Sequence, residues 1–299
     1  MSGLEPCWVC GAHDLTLVRR GNLRTAIGAE DFRITDAGYG RTGDLYDCCA
    51  CGFRQVRGLA DVLDHYRAME DPGYEATRAP RALQARRLLE FVVRHRRQGH
   101  LLDVGAGSGI LVEAARAMGY AAEGIEPSRA LQAVAASHGL PVHLGVLPHP
   151  AAAGPYDIAT VIDVIEHVPD PVGLMRNVRD VLAPDGLCLV VTPDVGSLAA
   201  RLLGPRWWHY RVAHIGYFDR ATLARALEAA GFEVLEAERP TWYFPASYLF
   251  ERALTYLPGS RRMAAPSWLE AVTLPLNLFD SLAFVCRRRR QRPSCIGAG

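Results

Sequence analysis

The run HLLDVGAGSGILVEAARAMGYAAEGIEP, from His100 to Pro127, constrains the fold more than any other stretch. Apolar Leu101, Leu102 and Val104 lead into Gly105-Ala106-Gly107-Ser108-Gly109. Ile110, Leu111, Val112, Ala114, Ala115 and Met118 then suit a helix packed on a sheet, which Gly119 ends. Ala121 to Ile125 reads as a second short strand, closed by Glu126 and Pro127. This is a β–α–β unit with a glycine turn after its first strand and an acid at the tip of its second. Glycines at such a turn let backbone approach a ligand without a Cβ clash. The helix start presents free N–H groups. An acid on the neighbouring strand accepts hydrogen bonds from two ribose hydroxyls. The expected ligand is therefore nucleotide-like. Dinucleotide folds favour G-x-G-x-x-G, whereas Gly105 to Gly109 reads G-x-G-x-G.

Downstream, strands and helices keep alternating. Ser128 to His138 is expected to be a helix with Ser128 as N-cap, and Val142 to Leu144 a strand. Tyr156 to Ile162 is a strand, Val172 to Leu182 a helix, and Pro184-Asp185-Gly186 a turn before the strand Leu187 to Val191. Thr222 to Ala230 is a helix stopped by Gly231, Phe232 to Ala237 a strand, and Leu278 to Cys286 a last, antiparallel strand. Upstream, Asp61 to Glu70 and Pro80 to Arg97 read as helices separated by a break at Asp71-Pro72-Gly73. The expected fold is α/β, a Rossmann-like doubly wound sheet of seven strands, with ligands at the carboxyl ends of the strands.

Before that sheet stand two C-x-x-C-G knuckles, Cys7 to Gly11 and Cys48 to Gly52. The four thiols Cys7, Cys10, Cys48 and Cys51 match a closed structural zinc site, with Cys49 as a competitor of poorer spacing. The 37 residues between the knuckles exceed the usual zinc-site gap, and a β-hairpin through Leu15–Val18 and Leu45–Tyr46 accounts for part of them. A redox pair or free thiols are the competing readings. The expected organisation is a zinc-ribbon module at 1–62, linker helices over the ligand site at 63–98, and the sheet domain at 99–299.

DVGAGSG with Glu126, VIDVIEHVPDP (Val161 to Pro171), LAPDGLCLVVTP (Leu182 to Pro193) and YFDRATLARALEAAGFEV (Tyr217 to Val234) together resemble the UbiE/UbiG-like, type-11/23 branch of class I S-adenosylmethionine (SAM) methyltransferases. Some bacterial members also carry an N-terminal zinc ribbon. The resemblance implies SAM as cofactor. It places Asp103, Gly105, Ala106, Gly107 and Gly109 around the amino acid part of SAM, Glu126 on the ribose, Pro127 beside adenine, and Asp163 and Val164 beneath the sulfonium. Relatives often have an acid after the third strand for the adenine amino group. Here Val146 and Leu147 stand in Gly145-Val146-Leu147-Pro148-His149, so apolar contact is expected instead. Tyr74, Arg78 or Arg81 would meet the methionine carboxylate.

Methyl transfer to a hydroxyl or an acidic carbon needs a base, and histidine suits it. His167, His209 and His214 are candidates, with His214 the expected base. The competing reading is a packed lid whose histidines bond to backbone. The loop from Trp207 to Tyr217 and the aromatic insertion at 242–275 are expected to cover a flat or apolar small-molecule acceptor, as in bacterial secondary metabolism. The insertion also suits a dimer contact. All 33 cationic side chains are Arg, as in a GC-rich bacterial coding sequence, and the net charge of +1 argues against a general nucleic-acid or membrane-surface role. Arg287 to Arg290 reads as a solvated tail. The first residues lack a leader's apolar core and no window reaches the ~18 apolar residues of a membrane span, so a cytoplasmic protein is expected. Two alternatives remain. An NAD-dependent oxidoreductase is disfavoured by the glycine spacing; a zinc-ribbon scaffold would bind SAM without turnover.

Overall fold

The computed structural model describes residues 5–23, 27–35, 38–59, 62–255 and 265–289. Asp61, residues 256–264 of the insertion and Arg290 of the basic run lie outside the described residues. In chain order, β1 (Leu15–Arg19), β2 (Leu45–Cys48) and β3 (Arg54–Val56) precede helices α1 (Val62–Ala68), α2 (Pro72–Ala76) and α3 (Arg78–Val93). The alternating part follows as β4 (His100–Val104), α4 (Ile110–Ala117), β5 (Ala121–Glu126), α5 (Arg129–Ser137), β6 (Val142–Leu144), β7 (Tyr156–Ile162), α6 (Pro171–Val181) and β8 (Leu182–Pro193). Then come α7 (Leu198–Leu203), β9 (Gly216–Tyr217), α8 (Arg220–Ala229), β10 (Phe232–Glu238), β11 (Trp242–Pro245), α9 (Ala246–Thr255), β12 (Thr273–Leu276) and β13 (Ser281–Arg288).

Seven strands form one sheet in the order β10-β13-β8-β7-β4-β5-β6. β13 runs antiparallel to both neighbours, and the other pairs are parallel. Strands buried on both faces need apolar residues at every position, not alternate ones. β4 shows this. Leu101 packs with Ala85, Leu89 and Ile110 on one face, and Leu102 packs with Ala159, Met175 and Val190 on the other.

Two local expectations are sharpened. The helix that starts at Val62 does end before Asp71, but Pro72-Gly73 is not a loop: Pro72 opens α2 at its first position, where its missing N–H is no loss. Pro184-Asp185-Gly186 lies within β8 as an irregularity, the register on β7 jumping between Leu182 and Leu187.

The N-terminal part is not a free-standing ribbon. Its sheet has the order β1-β2-β3-β9, so the fourth strand is borrowed from the segment after β8. Arg54 pairs with Tyr217 and Gln55 with Gly216, and Val56 N–H donates to the Ile215 carbonyl at 2.7 Å. The cores are shared too. Cys7, Val9, Cys48 and Phe53 pack in one cluster with Phe218 and Leu223, and Phe32, Leu45 and Val56 pack in another with Trp207 and Tyr210. Small modules bury too little area to fold alone; this one gains the missing area from the sheet domain.

Candidate active site

The carboxyl ends of β4, β5 and β7 open onto a cavity of about 530 Å³, within the range of small-ligand sites. The glycine turn forms one wall. Gly105, Gly107 and Gly109 all have positive φ, which costs a residue with Cβ but not glycine. A Cβ on Gly105 would collide with Val164, and one on Gly107 would stand 2.9 Å from the Tyr74 hydroxyl. Gly105 and Ala106 donate N–H bonds to the Ile125 carbonyl at 2.9 and 3.1 Å, which fixes the turn against β5.

Glu126 ties the turn from the other side. Its carboxylate accepts the Gly107 N–H at 2.8 Å and the Ser128 N–H at 2.7 Å. Each oxygen keeps a lone pair for a ligand. Burial pushes its carboxyl up to about 7, against the pull of those two N–H groups. Asp103 is also pushed up to about 7 by burial and accepts the Thr160 hydroxyl at 2.6 Å. Asp163 has φ of 51°, rare for a residue with a side chain, and burial raises its carboxyl to about 6.

Asp103, Gly105, Ala106, Gly107, Glu126, Pro127, Asp163, Val164 and Tyr74 all line this cavity. Three residues named with them do not. Gly109 caps α4 and packs against Leu140 and Val142. Leu147 is buried in the core beside Ala152 and Met175, because its loop folds over α6, and Val146 is on the surface. Arg81 stacks over Tyr74 at 4.2 Å and lines the cavity; Arg78 turns away to Glu75 and Glu113.

The three histidines gather at the far wall. Their rings lie 4.7 Å apart for His167–His214 and 5.7 Å for His209–His214. Burial lowers His214 well below the ordinary histidine range, and its Nδ1 has no partner among the described residues. Burial also lowers His167 to about 4. Its Nδ1 faces the Ala213 carbonyl at 2.7 Å and the Tyr66 hydroxyl at 2.5 Å. His209 differs. Its Nε2 lies 3.4 Å from Asp280 Oδ2, an ion-pair distance without hydrogen-bond alignment, and Asp280 is buried.

The lid loop is corrected in part. Trp208 lines the cavity, whereas Trp207, Tyr210 and Tyr217 are buried against the ribbon. The insertion contributes Trp242, Tyr243, Phe244 and Tyr248 to the wall, held by the antiparallel pair β11–β12 and by Trp242 Nε1 donating to Ser281. The aromatic insertion is thus built in part as a hairpin. Sequence reasoning missed Phe32 to Thr35 and Tyr39, which also line the cavity. The Tyr39 hydroxyl meets that of Tyr248 at 3.0 Å, joining the ribbon's long insertion to the cap. The excess length between the knuckles was the available signal.

At the other end of the ribbon, Cys7, Cys10, Cys48 and Cys51 bring four sulfurs within 4.8 Å of one another, a set that can hold a metal ion. Cys49 is exposed and faces Thr16.

The sheet order, the glycine turn and the acid at the tip of β5 together define the SAM-dependent methyltransferase class. A family model described as a methyltransferase domain, Methyltransf_23, matches residues 74–237, more than half of the chain, and the chain belongs to that family. It is 34% identical over 100 residues to a ubiquinone biosynthesis O-methyltransferase of Caulobacter sp. (strain K31), covering 31% of this chain and 40% of that protein. It is 30% identical over 186 residues to the enzyme of the same name from Thiobacillus denitrificans (strain ATCC 25259 / T1), covering 55% and 78%. The chain spans about two fifths of the length of the first of these relatives. Among solved structures, a chain from the complex of the Haloferax volcanii Trm112 methyltransferase activator with a methyltransferase superposes with a TM-score of 0.53 at 14% identity, covering 78% of this chain and all of that one. That likeness concerns the fold alone. Among the described residues no helix is long and apolar enough to cross a membrane.

Proposed function

We propose that this protein methylates a hydroxyl of a small aromatic acceptor. The carrying observation is one cavity with the glycine turn and Glu126 at one wall and the His209–Asp280 pair at the other. Bound SAM supplies an electrophilic methyl group on sulfur. The chain's residues bind, orient and deprotonate. Glu126 accepts the two ribose hydroxyls, Arg81 and Tyr74 hold the methionine carboxylate, and Asp163 and Val164 lie beneath the sulfonium. Trp208, Trp242 and Phe244 sandwich the acceptor ring, and His209, oriented by Asp280, takes its proton. The aromatic wall and the names of the relatives support a phenolic or enolic hydroxyl. The four sulfurs hold a structural zinc ion, whose closed coordination leaves no position for chemistry.

With phenols and catechols as a panel, S-adenosylhomocysteine release should be seen for at least one acceptor. NADH binding tighter than SAM, with no turnover across the panel, would overturn the reading. Calorimetry tests the cofactor wall. Charge-assisted hydrogen bonds contribute about 1.5–3 kcal/mol each, so Glu126→Gln should weaken SAM binding roughly 10- to 100-fold. Unchanged affinity would sink the ribose assignment.

A pH dependence follows from Glu126. Ribose hydroxyls donate to the ionised carboxylate, which is only half populated near pH 7 in the free protein. SAM affinity should therefore fall as pH drops below about 7 and level off above it. Glu126→Gln should reduce the slope, with Asp103 keeping part of it. A slope equal to wild type in that variant would contradict the assignment.

A further inference from the structure

Beside the cavity lies a cluster that the methyl-transfer reading leaves unused. Glu166, in the turn after β7, is 1% exposed. Its Oε2 accepts the Thr192 hydroxyl at 2.9 Å, but its Oε1 has no hydrogen-bond partner among the described residues. His167 follows in the chain, with Nε2 at 3.8 Å from that oxygen. A carbonyl can only accept, so the Ala213 carbonyl at 2.7 Å draws the proton of His167 to Nδ1, where the Tyr66 hydroxyl also lies at 2.5 Å; Nε2 then carries a lone pair. His214 hydrogen-bonds the backbone of His209 through its ring, and its Nδ1 is buried without a partner. Glu166, His167 and His214 each offer one donor atom, all within 4.8 Å of one another.

Acceptors facing one another need something positive between them. A proton on Glu166 would satisfy one imidazole and leave the other unpaired. A cation satisfies all three. Both rings also turn their remaining N–H toward backbone carbonyls, as metal-ligating histidines do. The nearby Arg211 opposes a cation, but its guanidinium is tied to the carbonyls of Arg33 and Ile34, and Asp163 adds a second carboxylate beside Glu166. Two imidazoles and one carboxylate suit first-row transition ions rather than magnesium or calcium.

We propose that Glu166, His167 and His214 form a second metal site, for a divalent first-row transition ion, at the acceptor wall of the cavity. His167 and His214 line the cavity, so the open coordination positions face it. If the methyl-transfer reading holds, they would receive the acceptor's oxygen.

The test uses the full chain with its ribbon zinc-loaded, and neither SAM nor acceptor present, so that its result does not depend on the methyl-transfer reading. MnCl₂ is titrated and followed by calorimetry and electron paramagnetic resonance. Manganese has little affinity for thiolates, which keeps the ribbon silent. One Mn²⁺ per chain is expected, with imidazole nitrogen couplings in the pulsed spectrum of the wild-type protein, and at least tenfold weaker binding in Glu166→Gln and in His214→Ala. No Mn²⁺ uptake, uptake without nitrogen couplings, or unchanged uptake in the folded variants would overturn the site. The wild-type stoichiometry and couplings decide the matter even where a variant does not fold.

Discussion

Replacing Cys10 and Cys51 with serine is expected to abolish zinc binding by the ribbon and to lower the melting temperature by about 5 °C or more. Zinc bound to four thiolates at Zn–S distances of about 2.3 Å sets the sulfurs roughly 3.8 Å apart. The pairs Cys7–Cys51 and Cys10–Cys48 stand at 3.5 Å, so an ion fits with little movement. Gly11 and Gly52, at positive φ, close the two knuckles by donating N–H to the Cys7 and Cys48 carbonyls at 2.9 and 2.8 Å. Structural zinc contributes about 10–16 kcal/mol to isolated small modules. Here the ribbon shares its core with the sheet domain, so part of its order survives without metal and the loss should be smaller. At about 2.1 cal/mol/K of unfolding entropy per residue, a loss of about 4 kcal/mol moves the melting temperature of a 299-residue chain by roughly 6 °C.

The damage should also travel. β3 holds β9, and Ile215 N–H donates to the Glu166 carbonyl at 2.9 Å, so the segment carrying His214 hangs from the ribbon sheet. Hydrogen exchange at residues 214–217 should speed up with zinc removal. Metal analysis, scanning calorimetry and exchange mass spectrometry check the three parts. A wild-type chain without zinc, or a double variant melting within about 2 °C of wild type, would refute the site.

How much of this was legible in the sequence depended on the range of the interactions. The seven-stranded sheet was legible because its strands are buried on both faces and its turns carry glycine, proline and caps such as Ser128, whose hydroxyl accepts the Leu131 N–H. The glycine turn with Glu126 was legible because the chemistry of ribose binding fixes both residue types. β9 was not. Two residues have no periodicity, and Gly216–Tyr217 becomes a strand through pairing with Arg54 and Gln55, more than 150 positions away. The same long-range packing turned Trp207, Tyr210 and Tyr217 from the acceptor wall into the ribbon core, since an aromatic residue reads alike in a pocket and in a core. Val146 and Leu147 were assigned by analogy with an acid that this chain lacks; the loop's own path over α6 decides where they go. Asp280 carried no local signal either. It matters because the approach to β13 brings it beside His209.

The choice among the histidines gives the last prediction, that His209→Ala lowers kcat by about 10²- to 10⁴-fold, the range for a lost general base. SAM affinity should stay close to wild type, because His209 lies on the acceptor wall. His214 and His167 are poor alternatives. Burial holds both neutral and weakly basic, and an imidazolium formed there would face Arg211. His209 has 23% of its side chain exposed and lines the cavity, and on the proposed reading the buried Asp280 beside it stabilises the cation that forms when the acceptor's proton arrives. Asp280→Asn should therefore lower kcat by roughly tenfold or more while leaving KM for the acceptor near wild type, as expected when transition-state stabilisation alone is lost. One readout separates base catalysis from mere packing. Added imidazole should restore part of the His209→Ala rate but none of the Asp280→Asn rate. If His209→Ala keeps kcat within about threefold of wild type, the base is elsewhere and the dyad assignment fails.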